Sequence, residues 1–475
     1  MKKYRGVWKF GWAGLAILAL LYSGIVTAAE APAETKGQAQ VEEKAPEGEV
    51  PEKPEKPPEK PPELGKLLPS LIPPAPTTTF EVGPSLGILA PYGYDAAANS
   101  LSMGWQRHRL GPVVMRPFFE YDAVYRTNIY QTSTDKKSDF INTINPGLYF
   151  ELPMAKKHKL SVGYLGNYFI YSRYGNNSHY DQNINAEAAF NFPRWSVRFG
   201  NGLRLATEDR TAENARKRRY TRESPYFAAT LRFADRWRIE ANYQFEALTF
   251  AKQEDSTDNY QYHTMGWSLY YKFWPKTSAL VQYVLLFRQH PSDSIQNNTV
   301  HTYMGGLTWD PTAKISGTVK FGYTNANYDD KLSTRNNNPG SWAMSIQTLY
   351  RYSRYTNIAL VAQRSIQEDA DENNNSYVNT GLYLTLNHYF HYFKVNSYAM
   401  ISFYRNAYQE NSYDGYTGEY KRRDDNVISA GAGLSRSFTK WLRLRLDYVY
   451  SNKASNFGGY SYNEHKVLVG AQTSF

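Results

Sequence analysis

The chain has 475 residues, a formal charge of +10 and no cysteine, which excludes disulfides, thiolate-held metals and a lipid anchor on an amino-terminal cysteine. A hydrophobic fraction of 41% beside a mean hydropathy of -0.62 fits a chain whose apolar residues line one face of many strands. Its 41 Tyr, 23 Phe and 10 Trp are strand formers whose amphipathic rings favour membrane interfaces, with a Tyr-rich soluble β-sandwich as the competing reading.

Residues 1–29 read as a signal peptide. Lys2, Lys3 and Arg5 precede a mainly apolar run over 13–26, and small residues follow at Thr27, Ala28 and Ala29. The run is shorter than the roughly 20 apolar residues that span a bilayer, so removal is expected over retention as an anchor. An exported basic chain rarely meets nucleic acid, which leaves anionic lipid headgroups or an anionic glycan as partners for its charge.

Residues 30–78 form a Pro/Glu/Lys-rich linker centred on PEKPEKPPEKPPE at 51–63. Proline lacks the N–H that a ladder needs, so a disordered, polyproline-like periplasmic spacer is expected. At about 3.1 Å per residue its core reaches about 40 Å. The apolar island at 64–72 is either a docking piece or part of a loose spacer. Residues 79–112, broken by Pro84 and Pro91, show no period and are expected to plug the lumen of the next domain or to lie beneath it.

Residues 113–475 repeat one pattern. Over 237–249, Ile239, Ala241, Tyr243, Phe245 and Ala247 alternate with Arg238, Glu240, Asn242, Gln244 and Glu246. Over 113–130, Met115, Pro117, Phe119, Tyr121, Ala123 and Tyr125 oppose Arg116, Glu120, Asp122, Arg126 and Asn128. The same period recurs over 314–323 and 441–450, as expected of strands with lipid on one side and water on the other. No later segment offers a long apolar helix, and only helices and closed barrels satisfy every backbone polar group in lipid.

Connections sort into tight turns, such as Pro193-Arg194, Pro275-Lys276 and Thr439-Lys440, that alternate with long polar loops, such as 209–223, 329–339 and 410–425. That asymmetry predicts an all-β fold, a transmembrane antiparallel β-barrel of about 18 strands with both termini on the periplasmic side of an outer membrane. A propeller would repeat in four-strand blocks, which are not seen. The last strand, 460–475, puts Phe475, Thr473, Ala471, Val469 and Val467 on one face and Gln472, Gly470 and Lys466 on the other. It needs a neighbour on each side, and an antiparallel partner at 113–130 would supply the second.

A barrel of this size has an aqueous interior. Strand phase places Arg116, Arg126, Arg198, Arg204, Arg238, Lys320, Arg443 and Arg445 on the lumen side with Glu120, Asp122, Glu240, Glu246 and Asp447. The basic excess would draw in an acidic glycan more readily than a cation, and Tyr398 and Tyr404 share the inner phase. The run at 215–222, with Arg216, Lys217, Arg218, Arg219 and Arg222, is expected to project outward as a surface loop against lipopolysaccharide or, alternatively, substrate. His388 and His391 lack a third ligand nearby, and Asp329, Asp330, Asp424 and Asp425 sit in polar loops, so no cofactor, metal or catalysis is expected. An active site assembled from distant loop residues is the remaining alternative.

FEYDAVYRTNIY at 119–130, KSDFI at 137–141 and NPGL at 145–148 resemble the β-barrel porins encoded with bacterial exopolysaccharide synthesis genes. That family tends to carry an acidic residue just before Asn-Ile-aromatic, where this chain has Arg126-Thr127 before Asn128. The resemblance implies an outer-membrane conduit for a secreted polysaccharide, working with periplasmic polysaccharide export proteins. The alternatives are a structural or adhesion barrel with an occluded lumen, and a general diffusion porin. Phe475 resembles the terminal aromatic that such barrels present to their assembly machinery.

Overall fold

The computed structural model describes residues 108–474 apart from 156, 213, 215, 310–313, 333–334 and 369–375. The expected signal peptide, the linker, most of the segment 79–112 and Phe475 lie outside the described residues. The strands are β1 (His108–Leu110), β2 (Val113–Arg126), β3 (Asp139–Met154), β4 (His158–Tyr171), β5 (His179–Asn191), β6 (Trp195–Glu208), β7 (Arg218–Glu223), β8 (Tyr226–Phe233), β9 (Trp237–Phe250) and β10 (Tyr260–Trp274). They continue as β11 (Thr277–Gln289), β12 (Asn298–Trp309), β13 (Ile315–Tyr328), β14 (Gly340–Arg351), β15 (Thr356–Glu368), β16 (Ser376–Phe390), β17 (Val395–Asp414), β18 (Glu419–Ser437), β19 (Leu442–Ser455) and β20 (Tyr462–Ser474).

From β1 to β7 and from β8 to β20 each strand pairs antiparallel with the next, and β2 closes on β20 from Phe118 opposite Ser474 to Arg126 opposite Lys466. β7 and β8 are halves of one barrel strand, since both lie between β6 and β9. The break falls at Ser224-Pro225, where Pro225 has no N–H to donate. Ser224 still exchanges backbone bonds with Gly202 at 2.8 and 3.3 Å, so the sheet stays continuous. With β1 as an appendage of β2, the result is a closed barrel of 18 strands, as the turn count predicts.

Residues 108–112 neither plug the barrel nor lie apart from it. Gly111 adopts a left-handed φ of 61°, which turns His108–Leu110 back onto Val113, Val114 and Met115. β1 thereby occupies the side of β2 that β20 leaves open before Phe118.

The period-2 faces follow the expected sense. Val281, Tyr303, Phe321, Ile401 and Val469 stand exposed on the outer face, while Ser268, Thr302, Thr324, Ser429 and Ser451 are buried on the inner one. At the end carrying the tight turns, outward aromatic side chains make a belt: Trp195 stacks on Phe192 at 3.8 Å, and Trp274, Tyr352, Phe393 and Trp441 stand exposed. Such belts sit at membrane interfaces, so the turn end marks one boundary of the spanning region.

Parts of two expected loops are strands instead. Arg218–Glu223 is β7, paired with Leu203 to Glu208 of β6. Within 410–425, β17 and β18 run on as a hairpin to Asp414 and Glu419, past a bulge between Ala407 and Asn411. β16 pairs with β17 only up to Tyr408, and β19 meets β18 only from Asp425, so residues 409–424 form a two-stranded ribbon beyond the neighbouring ladders, tied to the loop after β19 through Asn456 and Gly458. In both places polar composition resembles a loop, but cross-strand pairs such as Tyr413 with Tyr420 favour a hairpin.

Candidate functional site: the inner wall and its seam

Along their strands the thirteen residues expected at the lumen alternate with exposed apolar side chains such as Tyr121, Phe199, Ile239, Phe321 and Leu446. They gather into separate clusters along the wall. At the closure, Arg445 on β19 reaches over β20 to β2, with Nη2 at 2.7 Å from Glu120 and 2.8 Å from Asp122, and Nε at 3.2 Å from the second Asp122 oxygen. Asp447 lies 3.9 Å from the same guanidinium. Gly470 on β20 sits between Asp122 and Arg445 in register. A Cβ there would stand 2.3 Å from Asp122 Oδ1 and 2.7 Å from Arg445 Nε. The glycine is what lets the two side chains meet across an intervening strand.

Nearer the loop end, Arg126 Nε donates to Glu464 at 2.5 Å, and Lys466 Nζ lies 3.3 Å from the other Glu464 oxygen. Glu464 is absent from the expected lumen set, yet it shares the phase of Lys466 two residues on. Arg116 lies 3.6 Å from Glu151 on β3.

The wall from β6 to β10 pairs arginines with tyrosine faces. Arg204 and Arg222 flank the Tyr220 ring at 5.8 and 5.7 Å, and Arg238 covers Tyr270 at 3.9 Å. Tyr270 donates to Glu240 at 2.9 Å, Arg238 bonds the same carboxylate at 3.1 Å, and Tyr260 donates to Glu246 at 2.9 Å. Arg198 lies on the same face of β6, opposite Ala228. From β10 to β14 the wall changes character and interleaves hydroxyls and amides with aliphatic side chains such as Leu280, Val284, Leu286 and Val300. Lys320 donates to Gln282 at 2.8 Å, Gln282 donates to Ser268 at 3.0 Å, and Thr302 bonds Thr324 at 2.9 Å. Arg443 donates to Ser435 at 2.8 Å.

The basic run does not project as a free surface loop. Arg218 turns inward to Glu208, at 2.7 Å, and to Asp258, and Arg222 lies 4.0 Å from Glu246 on the inner wall. Lys217 donates to the backbone of Asn176 and Ser178, and Arg219 lies within β7. Arg216 pairs with Glu254 and with Asp255, the latter at 2.7 Å. Its guanidinium holds the Glu254 carboxyl below the usual carboxylate range.

At the loop end, Lys421 lies 2.9 Å from Asp414, and the backbone N–H groups of Tyr416 and Gly458 also donate to that carboxylate. The Lys421 ammonium, with those donors, holds Asp414 well below the ordinary range. A further buried cluster that strand phase did not single out joins Glu368 of β15 to Tyr262, Arg288, His290 and Asn298. Among the described residues no three His, Asp or Glu converge as metal ligands, and His388 instead bonds Thr356 at 2.9 Å.

The sequence profile of the family described as "Putative beta-barrel porin 2" matches residues 106–475. The chain belongs to that family. The match begins just before β1 and takes in every strand of this porin-family barrel. Together with the closed barrel and its inverted polarity, membership makes the protein a porin-like outer-membrane barrel. No curated relative matches the chain. Among solved structures, OccK1 (OpdK) of Pseudomonas aeruginosa is similar at 10% identity and a TM-score of 0.44, over 76% of this chain and 99% of that one. OccAB4 of Acinetobacter baumannii is similar at 12% identity and a TM-score of 0.42, over 77% and 99%. The siderophore receptor PirA of Pseudomonas aeruginosa is similar at 9% identity and a TM-score of 0.40, over 76% and 80%.

Proposed function

We propose that this barrel is a passive channel through which a secreted polysaccharide, preferably an anionic one, crosses the outer membrane. The observation that carries the reading is the inner wall itself. One arc carries arginines beside tyrosine rings, and the adjoining arc interleaves hydroxyl and amide groups, bonded to one another, with aliphatic side chains. The motif at 119–148 supports a polysaccharide over a small solute, and periplasmic export proteins would then deliver the polymer to the turn end. The tight turns and both termini would face the periplasm and the long loops the outer lipopolysaccharide. Folded protein in planar bilayers should give conductance steps that an acidic oligosaccharide blocks at lower concentration than a neutral one. Their absence would sink the channel, and unchanged secreted polysaccharide in a deletion strain would sink the export role. Phe475→Asp should lower the amount of folded, heat-modifiable protein if the terminal aromatic is read by the assembly machinery.

A second reading, an adhesion barrel, is favoured by one feature. The ribbon at 409–424 holds Tyr413, Tyr416 and Tyr420 exposed beyond the neighbouring strands. Loss of surface binding on deletion of the ribbon, with conductance absent from the intact protein, would favour it.

A further inference from the structure

We propose that the outward face of β15 to β18, at the end carrying the long loops, binds a phosphate group of outer-leaflet lipopolysaccharide between Arg364 and Arg405. That face differs from the rest of the outer wall in its charge. On β9 to β14 the residues of outward phase include no Lys, Arg, Asp or Glu, which suits a wall standing in hydrocarbon. Arg364 of β15 is in phase with the exposed Leu382 and Leu384 of β16, and Arg405 of β17 is in phase with the exposed Ile401 and Phe403. Both arginines therefore belong to the lipid side.

Register sets the two arginines in one row. Arg364 lies opposite Thr380 of β16, Thr380 opposite Arg405, and Arg405 opposite Asn426 of β18. Neighbouring strands are about 4.8 Å apart, so the two arginine Cα atoms are about 10 Å apart, a span that two guanidinium groups bridge through one phosphate. The next outward row toward the turn end is Leu382, Phe403 and Ile428, each opposite the next and all exposed. It lies two residues, about 7 Å, deeper. Cations above and apolar side chains below match the phosphate and the acyl chains of one lipid. Trp342 of β14, 51% exposed with its ring 4.6 Å from the Arg364 guanidinium, marks the level at which amphipathic rings meet headgroups.

The row carries more positive charge than it neutralises. Arg405 Nε donates to the two Asp424 oxygens at 3.0 and 2.9 Å, and its Nη2 bonds the same carboxylate, so this guanidinium is held in place. Arg364 makes no ion pair among the described residues: Nη1 donates to the Thr380 hydroxyl at 2.5 Å, and Nε has no hydrogen-bond partner. That leaves the Thr380 hydroxyl hydrogen to donate to a ligand lying between the arginines. Arg422, exposed two residues beyond Asp424 on β18, adds a third cation to the single carboxylate. Arginine is the side chain whose donor fork fits phosphate oxygens, and a cation on the lipid face costs least at the interface. The basic run around β7 lacks this surplus, because Arg216 and Arg218 are already paired with carboxylates.

Of the reading above, the site uses only the orientation with the long loops outward, so silence in planar bilayers leaves it untouched. The test titrates full-length folded protein in detergent with diphosphorylated lipid A, and with the same lipid A after phosphatase treatment, and counts bound lipid by native mass spectrometry. Arg364→Gln/Arg405→Gln should bind the phosphorylated lipid about tenfold more weakly than wild type, with heat-modifiability showing that the variant folds. Phosphatase treatment should weaken binding to wild type and change little for the double variant. Arg436→Gln, at an exposed outward arginine of the turn end, should bind as wild type does. Equal affinity of wild type and the double variant, equal affinity of wild type for the two lipids, or the same weakening in Arg436→Gln overturns the site. Displacement of the lipid by an equal concentration of inorganic phosphate would assign the arginines to a free anion and overturn the lipid as their ligand.

Discussion

Arg126 of the first barrel strand and Glu464 of the last are joined by a 2.5 Å hydrogen bond across the closure, 338 residues apart in the chain. Both side chains are buried, at 8% and 1% exposed, and Lys466 shares the same carboxylate. Removing that carboxylate leaves two cations without it in a site that water barely reaches. Glu464→Ala should therefore cost about 3–5 kcal/mol of folding stability, and Glu464→Gln, which keeps an acceptor for Arg126, should cost less. Urea unfolding from lipid vesicles measures both, and equal stability of Glu464→Ala and wild type would remove the seam pair from the account.

Gly470 gives a steric prediction at the other seam cluster. Its Cβ would collide with Asp122 and Arg445, which are held in place by their own bidentate bond. Gly470→Val should destabilise by about 1–3 kcal/mol. Gly305→Ala on β12 is the control, because its Cβ would meet nothing closer than the Leu280 carbonyl at 3.9 Å. The same unfolding assay should place Gly305→Ala near wild type.

The outer face is tested by charge. Val469 is exposed on β20 opposite Ala123, and Val469→Arg should cost about 2–4 kcal/mol if lipid surrounds it near mid-bilayer. Gln347→Arg, on the inner face of β14, should fold normally and change ion selectivity instead. A reversal of the two phenotypes would invert the assignment of faces.

Asp414 carries a pH dependence confined to the ribbon. Its carboxyl is held below its ordinary value, so the ionised form is worth more in the folded ribbon than in an unfolded one. That contribution is present in full above the unfolded value of about 4 and fades as pH falls from there through the folded value. Hydrogen exchange at 409–424 should be slow and constant from neutral pH to about 5 and quicken, relative to its intrinsic rate, below about 4. In Asp414→Asn the ribbon should exchange faster at neutral pH and lose the acid-dependent step.

Much of the architecture was legible because a strand's two faces are a local property. Ile239 and Arg238 differ in side simply by being adjacent, and the turns at Pro193 and Pro275 break the ladder where proline has no N–H to give. The phase that placed Lys466 on the inner face would equally have placed Glu464 there. Residues 218–222 of the basic run, and 410–414 with 419–425, were misread as loops because a polar hairpin outside lipid has no apolar face to mark its period. Their strands are held by cross-strand partners that composition does not reveal, such as Glu208 for Arg218 and Asn456 for the backbone of Arg422 and Asp424.

Sequence by itself determined that this chain makes an even-numbered barrel of amphipathic strands with a charged interior, since period, turn chemistry and aromatic content are all written within short windows. Tertiary structure alone decided that Arg445 meets Asp122 over Gly470, and that Glu368 lies 3.6 Å from Arg288. Those distances depend on register and curvature accumulated around eighteen strands. No local pattern encodes a distance across the ring.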